Sequence, residues 1–290
     1  PFVPHVLVGP EREGRGMNWT IGGNSEDEAK PGKEFSVRLL LGENGCPERV
    51  DWMVLYPSIP LDEYRKDPNF WHINPRFPGL RAVHKDPWIF VCEDVLSPAV
   101  CEALINKAEP SLVPWTTRHD RTSADVCLPH DEVPGVQSRL SELLNMPVSH
   151  FEPLKVAKYM RMQYFSRHHD AIKGASEEGF PTVGSTTPFS NRVVTCFVYL
   201  QDSTRGGETQ FDYGIKIRPR QGLAVVHFPG YLHTAPEPNL RGTRDERAIH
   251  ESLPAVDDKY ICAQWGWPTP LDRQQSERHT GARRCSAATL

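Results

Sequence analysis

The chain has 290 residues, enough for one large domain or for a domain with an accessory segment. Hydrophobic residues make up 38% and charged residues 24%, a balance that suits a soluble globular protein. A net charge of -4 and a pI near 6.3 supply no basic field for phosphate backbones, so nucleic acid is not expected as a partner. No apolar run reaches the roughly 18 residues that cross a bilayer, so no membrane span is expected either.

The chain opens at Pro1 with neither an initiator Met nor a basic-then-apolar leader, which makes a trimmed or processed form the expectation and leaves the compartment open. Residues 1–85 read as a β-rich accessory segment: strand-like runs at Phe35–Leu41 and Val50–Tyr56 are separated by Gly, Asn, Pro and charged residues. Asn18-Trp19-Thr20 is a glycosylation triplet that has meaning only in a secreted protein. A new unit is expected near residue 86. Trp88–Val91 is a short apolar strand, and Ser97-Pro98 then opens a helix as N-cap and first helical residue, with Val100, Leu104, Ile105 and Ala108 on one face. A second helix is expected over Gln137–Leu144. Strands follow at Val156–Tyr159, Val193–Leu200, Leu223–Phe228 and Tyr260–Trp265.

Helices followed by spaced strands indicate an α+β fold, a sheet or barrel backed by helices. Two loops stand out, 171–191, rich in Gly, Ser, Thr and Pro, and 236–246, which is highly charged. The tail 271–290 is polar, Arg-rich and expected to be mobile. Seven cysteines (46, 92, 101, 127, 196, 262 and 285) contain no CxxC, which argues against structural zinc. Cys196 and Cys262 lie in apolar runs and read as buried hydrophobes; a Cys92–Cys101 pair stays open.

One cluster carries chemistry. Phe165-Ser-Arg-His168-His169-Asp170 sits where strand spacing brings His168 and Asp170 to one face, with His169 on the other. Two imidazoles and a carboxylate on one face of an octahedron leave open positions for a chelating co-substrate and dioxygen, the arrangement of non-haem Fe(II) oxygenases. The spacing alone says little, since His84-Lys85-Asp86 has it too. The third ligand could come from His227, His233 or His250.

The surrounding residues decide between them. Tyr159-Met-Arg-Met-Gln163-Tyr-Phe165-Ser-Arg-His168-His-Asp170 is followed by Arg192-Val-Val-Thr195-Cys-Phe-Val-Tyr199-Leu200, by Gly206-Gly207-Glu208-Thr209-Gln-Phe211, and then by His250 and Lys259. In order and spacing this set resembles the prolyl 4-hydroxylase branch of the 2-oxoglutarate oxygenases, over roughly residues 87–268.

The resemblance implies a double-stranded β-helix (jelly-roll) core with Fe(II) held by His168, Asp170 and His250. It implies Lys259 on the far carboxylate of 2-oxoglutarate, helped by Tyr159 and Thr195, and Arg192 near the iron, either on a peptide substrate or in a strand-edge salt bridge. It further implies O2 as co-substrate, ascorbate as reductant, and a proline-containing protein or peptide as the hydroxylated partner, with loop 171–191 as lid or clamp. The same chemistry on another side chain or a small metabolite, and a non-catalytic binding module, are the alternatives. The Gly206-Gly207-Glu208-Thr209 turn reads as structural, because no helix start or Lys follows it. Met162 stands where the family has Gly, so a different turn is expected there; Phe165 replaces a Tyr and Tyr260 a Trp.

Overall fold

The computed structural model describes residues 59–115, 121–171, 191–203 and 205–271 in full, and residues 12–13, 16–21, 34–41 and 47–55 as backbone. The lid expected at 171–191 and the tail beyond 271 fall almost wholly outside the described residues. Two compact units divide the chain, residues 1–59 and 60–290.

The first unit is an antiparallel sheet of four strands in sequential order: β1 (Arg12–Glu13), β2 (Gly16–Ile21), β3 (Glu34–Leu41) and β4 (Pro47–Leu55). In its register Trp19 lies opposite Val37, which in turn lies opposite Trp52.

The second unit begins at Pro60, earlier than the boundary near residue 86 that composition suggests. After the short helix α1 (Leu61–Tyr64), β5 (Leu80–Lys85) turns back at once into β6 (Trp88–Cys92), so residues 80–85 belong to the main sheet. Next come α2 (Pro98–Ala108), β7 (Val113–Pro114), β8 (Ala124–Leu128), α3 (Pro134–Leu144), β9 (Leu154–Tyr159) and β10 (Phe165–His168). The chain continues through β11 (Val194–Tyr199), β12 (Thr209–Phe211), β13 (Lys216–Ile217), β14 (Ala224–His227), β15 (His250–Ser252) and β16 (Lys259–Gly266). Eight of these strands form one sheet in the order β5-β6-β14-β11-β16-β9-β8-β7, and four form a second, β10-β15-β12-β13. These strands pair antiparallel, as in β9–β16 and β10–β15.

Each strand's residues explain its place. All six residues of β11 are buried because it sits mid-sheet between β14 and β16. Along β16 the side chains alternate, as the strand period of two requires. Lys259, Ile261, Ala263 and Trp265 face a pocket, while Gln264 on the other face accepts a hydrogen bond from Gln137 of α3 at 3.0 Å. The helices thus back the large sheet, and the pocket lies between the two sheets.

Helix α2 starts as its sequence dictates: Ser97 Oγ accepts from the Val100 amide and Pro98 occupies the first turn. Its buried face is Cys101, Leu104 and Ala108, whereas Val100 is exposed, so the apolar stripe is rotated by one residue from the expected one. Cutting Leu104 to Ala would cost about 2–5 kcal/mol at such a site. Helix α3 begins three residues before Gln137, at Pro134, and ends where Asn145 takes the left-handed conformation. Cys92 and Cys101 remain free and buried, their thiols pushed up to about 12 and about 11 by desolvation, so the pair left open by the sequence does not form. Cys196 and Cys262 are buried free thiols as expected.

Candidate metal centre and its pocket

Strand pairing assembles the cluster. β10 ends at His168 and β15 begins at His250, and the antiparallel register sets these two residues directly opposite each other, their ring centroids 4.3 Å apart. Asp170 follows two residues after His168. One donor atom from each of His168, Asp170 and His250 lies within 4.8 Å of the other two. Nε2 of each histidine is 3.8 Å from a different carboxylate oxygen of Asp170, Oδ1 for His168 and Oδ2 for His250.

The protonation pattern suits a cation. Nδ1 of His168 lies 2.8 Å from the Ser166 carbonyl, and Nδ1 of His250 lies 3.1 Å from the Ala248 carbonyl. A carbonyl can only accept, so each Nδ1 carries a proton, which leaves Nε2 as the nitrogen turned toward Asp170. Burial, with His250 beside it, drives the His168 pKa down to about 3, which keeps that ring neutral. Asp170 is held well below the usual carboxylate range: burial opposes ionisation, but His227 and the two facing imidazoles outweigh it. Two imidazole nitrogens and one carboxylate fit a divalent transition metal such as Fe(II).

The rival histidines take other places. His227, on β14, is buried with Nε2 3.3 Å from Asp170 Oδ2, so it stands behind the carboxylate rather than in the triad. The sequence offered it only as a rival ligand or a core residue; its position opposite Thr195 in the β11–β14 register is what aims it inward. His233 is not in the cluster. His169 points away, with Nε2 2.8 Å from the Asp245 carbonyl and Nδ1 accepting from the Ala171 amide. The look-alike His84 bonds to the Pro87 carbonyl and stacks on Tyr213.

The triad opens on a pocket between the two sheets. Lys259, Tyr159 and Thr195 all line it. Lys259 is 1% exposed; its Nζ donates to the Gly207 carbonyl at 2.8 Å and to the Ser252 hydroxyl, and lies 4.4 Å from the centroid of the Tyr159 ring. Desolvation lowers its pKa to about 7. Thr195 Oγ1 is buried and has no hydrogen-bond partner. A buried ammonium and an orphaned hydroxyl within one pocket are groups that a carboxylate ligand would satisfy. The glycine turn serves this site: Gly207 has φ +74, and a Cβ there would come within 3.2 Å of Lys259 Cδ.

Arg192 sits outside the pocket lining. Its Nε and Nη2 donate to the two carboxylate oxygens of Glu152 at 2.6 and 2.8 Å, its Nη1 donates to the Asp170 carbonyl at 2.9 Å, and its guanidinium lies 4.2 Å from the Trp265 ring centroid. Of the two sequence readings for this residue, the geometry favours the salt bridge. Phe165 stacks on His168 with centroids 3.5 Å apart. Met162 has φ +67, in the left-handed region that glycine favours.

Sequence reasoning missed Arg121, Lys155 and Trp265, which also line the pocket. For Lys155 the signal was present: a lysine in strand alternation with Ala157 and Tyr159 must share their face.

Residues 154–267 match the family model of the 2OG-Fe(II) oxygenase superfamily. The chain is 26% identical over 210 residues to prolyl 4-hydroxylase 13 of Arabidopsis thaliana, covering 62% of this chain and 71% of that protein. It is 27% identical over 211 residues to prolyl 4-hydroxylase subunit alpha-1 of Homo sapiens, covering 66% of this chain but only 37% of that subunit. Among solved structures, the 2OG complex of viral collagen prolyl hydroxylase from Paramecium Bursaria Chlorella virus-1 aligns with 25% identity and a TM-score of 0.47, covering 62% of this chain and 96% of that one. The matched residues include the His-Asp-His cluster and Lys259, and residues 154–267 form a 2OG-Fe(II) oxygenase domain similar to that of prolyl 4-hydroxylases, the domain of a 2-oxoglutarate-dependent dioxygenase.

Proposed function

We propose that the protein hydroxylates prolyl residues at the 4-position in a protein or peptide, within a jelly-roll core formed by its two facing sheets. The observation that carries this reading is the juxtaposition of His168, Asp170 and His250 with a pocket into which the buried Lys259 reaches. His168 Nε2, His250 Nε2 and the Asp170 carboxylate hold the iron. Bound there, Fe(II) with 2-oxoglutarate and O2 supplies the oxidation that puts oxygen on the substrate carbon and leaves succinate and CO2, with ascorbate as the reductant that keeps the metal ferrous.

The chain's own residues do the rest. Lys259 pairs with the far carboxylate of 2-oxoglutarate, and Thr195 and Tyr159 border the same ligand. The Ser166 and Ala248 carbonyls fix the tautomers of the two imidazoles. Phe165, flat against His168, and Phe211, stacked on His250 with centroids 5.2 Å apart, hold the rings in plane and keep water from them. Arg192 acts as a positioning residue by holding the backbone of Asp170.

The test is anaerobic Fe(II) and 2-oxoglutarate binding, followed by succinate release with proline-containing peptides under air and mass analysis of the product. Peptide-dependent succinate, with one oxygen added to proline, is the expected result. Binding of both without peptide-stimulated turnover would remove proline from the reading, and no binding would return the fold to a non-catalytic role. His168→Ala, Asp170→Ala and His250→Ala should each abolish metal binding and turnover while the far-UV spectrum is kept.

A further inference from the structure

The inner wall of the large sheet carries a second buried cation that the chemistry above does not use. Lys155 on β9 is 9% exposed, and among the described residues its Nζ has one ionic neighbour, Asp125 Oδ2 at 3.5 Å. That oxygen is already taken: Trp115 Nε1 donates to it at 2.5 Å and Arg121 Nη2 lies 3.1 Å away. Arg121 also donates to Ser123. Among the described residues, Arg121 and Lys155 thus share the single carboxylate of Asp125. Removing an ammonium from water without full compensation is costly, so such a group is kept where a ligand completes it.

The surroundings narrow the ligand. Lys155 Nζ lies 5.0 Å from the Trp265 ring centroid and 5.7 Å from that of Trp115. Trp265 lines the same pocket, is 8% exposed, and its Nε1 is a buried donor with no hydrogen-bond partner among the described residues. An ammonium and an indole N–H with spare donor capacity, framed by aromatic faces, match a carboxylate attached to a compact apolar group.

That carboxylate is not the one assigned to Lys259. In the β9–β16 register Tyr159 lies opposite Lys259 and Lys155 opposite Ala263, four residues further on. At about 3.3 Å per residue the two levels are roughly 13 Å apart, too far for a single small dianion anchored at Lys259. Lys155 instead stands near the triad: the indole it faces is the one under Arg192, which holds the Asp170 carbonyl.

We propose that Lys155 and Trp265 form an anchor for a carboxylate on the substrate, next to the carbon that is hydroxylated. The inference rests on the prolyl reading for the identity of that carbon. The carboxylate can be the C-terminus of a peptide ending in proline or the side chain of an acidic residue beside the proline.

The experiment is calorimetric titration of the protein loaded with Mn(II) and 2-oxoglutarate. Three acetylated peptides serve as probes: one ending in proline with a free carboxylate, its C-terminal amide, and an amide in which glutamate follows proline. One of the carboxylate peptides should bind at least tenfold more tightly than the plain amide, and which one does so identifies the source. Lys155→Gln should erase that preference, Lys155→Arg should retain it, and neither should change 2-oxoglutarate affinity. Equal binding of all three probes by the unaltered protein overturns the proposal, as does a loss in Lys155→Gln that falls on 2-oxoglutarate instead. A preference abolished by Lys155→Gln, together with product oxygen on a group other than proline, sustains the anchor and removes the prolyl reading.

Discussion

Arg192 Nη1 donates to the backbone carbonyl of Asp170 across 2.9 Å, while the rest of its guanidinium is locked on Glu152. Glu152 is fully buried and also accepts from Trp267 Nε1 at 2.8 Å. The metal-side loop is thereby tied to an ion pair that cannot be broken cheaply.

Replacing Arg192 by Gln should therefore cost stability first and chemistry second. The variant strands a buried carboxylate, a loss of about 3–5 kcal/mol. Chemical denaturation should show that loss, and metal titration should show weaker binding as the Asp170 carbonyl is freed. If Arg192 contacted substrate instead, peptide KM would rise with stability unchanged.

His227 acts on Asp170 from the other side. His227 Nε2 lies 3.3 Å from Oδ2, in contact with the carboxylate, and burial lowers the His227 pKa to about 4, keeping the ring neutral. Groups that orient a metal-binding carboxylate are worth about 10–100-fold in metal affinity. We expect His227→Leu to weaken Fe(II) or Co(II) binding by that order, with a thermal midpoint near that of the parent apo-protein, and His227→Gln to restore part of it. Parent-like affinity in His227→Leu would show that the contact is packing alone.

Lys259 gives a pH dependence with a defined sign. Its folded pKa is near 7 and its unfolded value is that of an ordinary lysine, so between those two values the unfolded chain holds a proton that the folded apo-protein lacks. The contribution of this group to apo stability thus rises with pH from about 7 upward and is flat below. Pairing with 2-oxoglutarate requires the ammonium, so the ligand must recruit that proton. Affinity should fall as pH climbs above 7, with proton uptake visible as a buffer-dependent calorimetric enthalpy. Lys259→Arg, always charged, should flatten the profile; an affinity independent of pH in the parent would would argue against the role of Lys259.

How far the sequence reaches is visible at particular residues. His168 and Asp170 are two apart on one strand, a local relation, and local relations are legible. Which histidine completes the cluster is not local: His227 and His250 both arrive near Asp170, and only the β10–β15 register places His250 opposite His168 while β14 sets His227 behind the carboxylate. The resemblance supplied what spacing could not. Arg192 was ambiguous because its partner Glu152 lies forty residues away in sequence. The start of the main unit was misjudged because β5 ends in His84 and Lys85 and joins β6 through a turn that composition reads as a boundary. The α2 face slipped by one position because a cysteine, read neutrally, takes the buried place and Val100 the exposed one.

Met162 and Gly206 form a matched pair for the last prediction. Both have positive φ, +67 and +68, on turns that bring residues 254–256 against the site. Met162 is largely exposed and its amide donates to the Ala255 carbonyl at 2.7 Å, so the side chain contributes little packing while the backbone bears the left-handed strain. That strain costs roughly 1–2 kcal/mol for a residue with a Cβ, against about 0.4–1 kcal/mol gained from a stiffer unfolded chain. Met162→Gly should therefore be neutral to stabilising by up to about 1.5 kcal/mol. Gly206→Ala should go the other way, since its Cβ would lie 2.6 Å from the Pro254 carbonyl oxygen and 2.8 Å from Val256 Cγ2. Crowding of backbone by backbone of this kind costs about 1–3 kcal/mol beyond the φ penalty. Because Gly206 precedes the carbonyl that holds Lys259, the alanine variant should also bind 2-oxoglutarate more weakly. Urea denaturation of both variants, read beside 2-oxoglutarate titration, checks the pair; a stable Gly206→Ala protein with parent-like affinity would mean that the turn does not position Lys259.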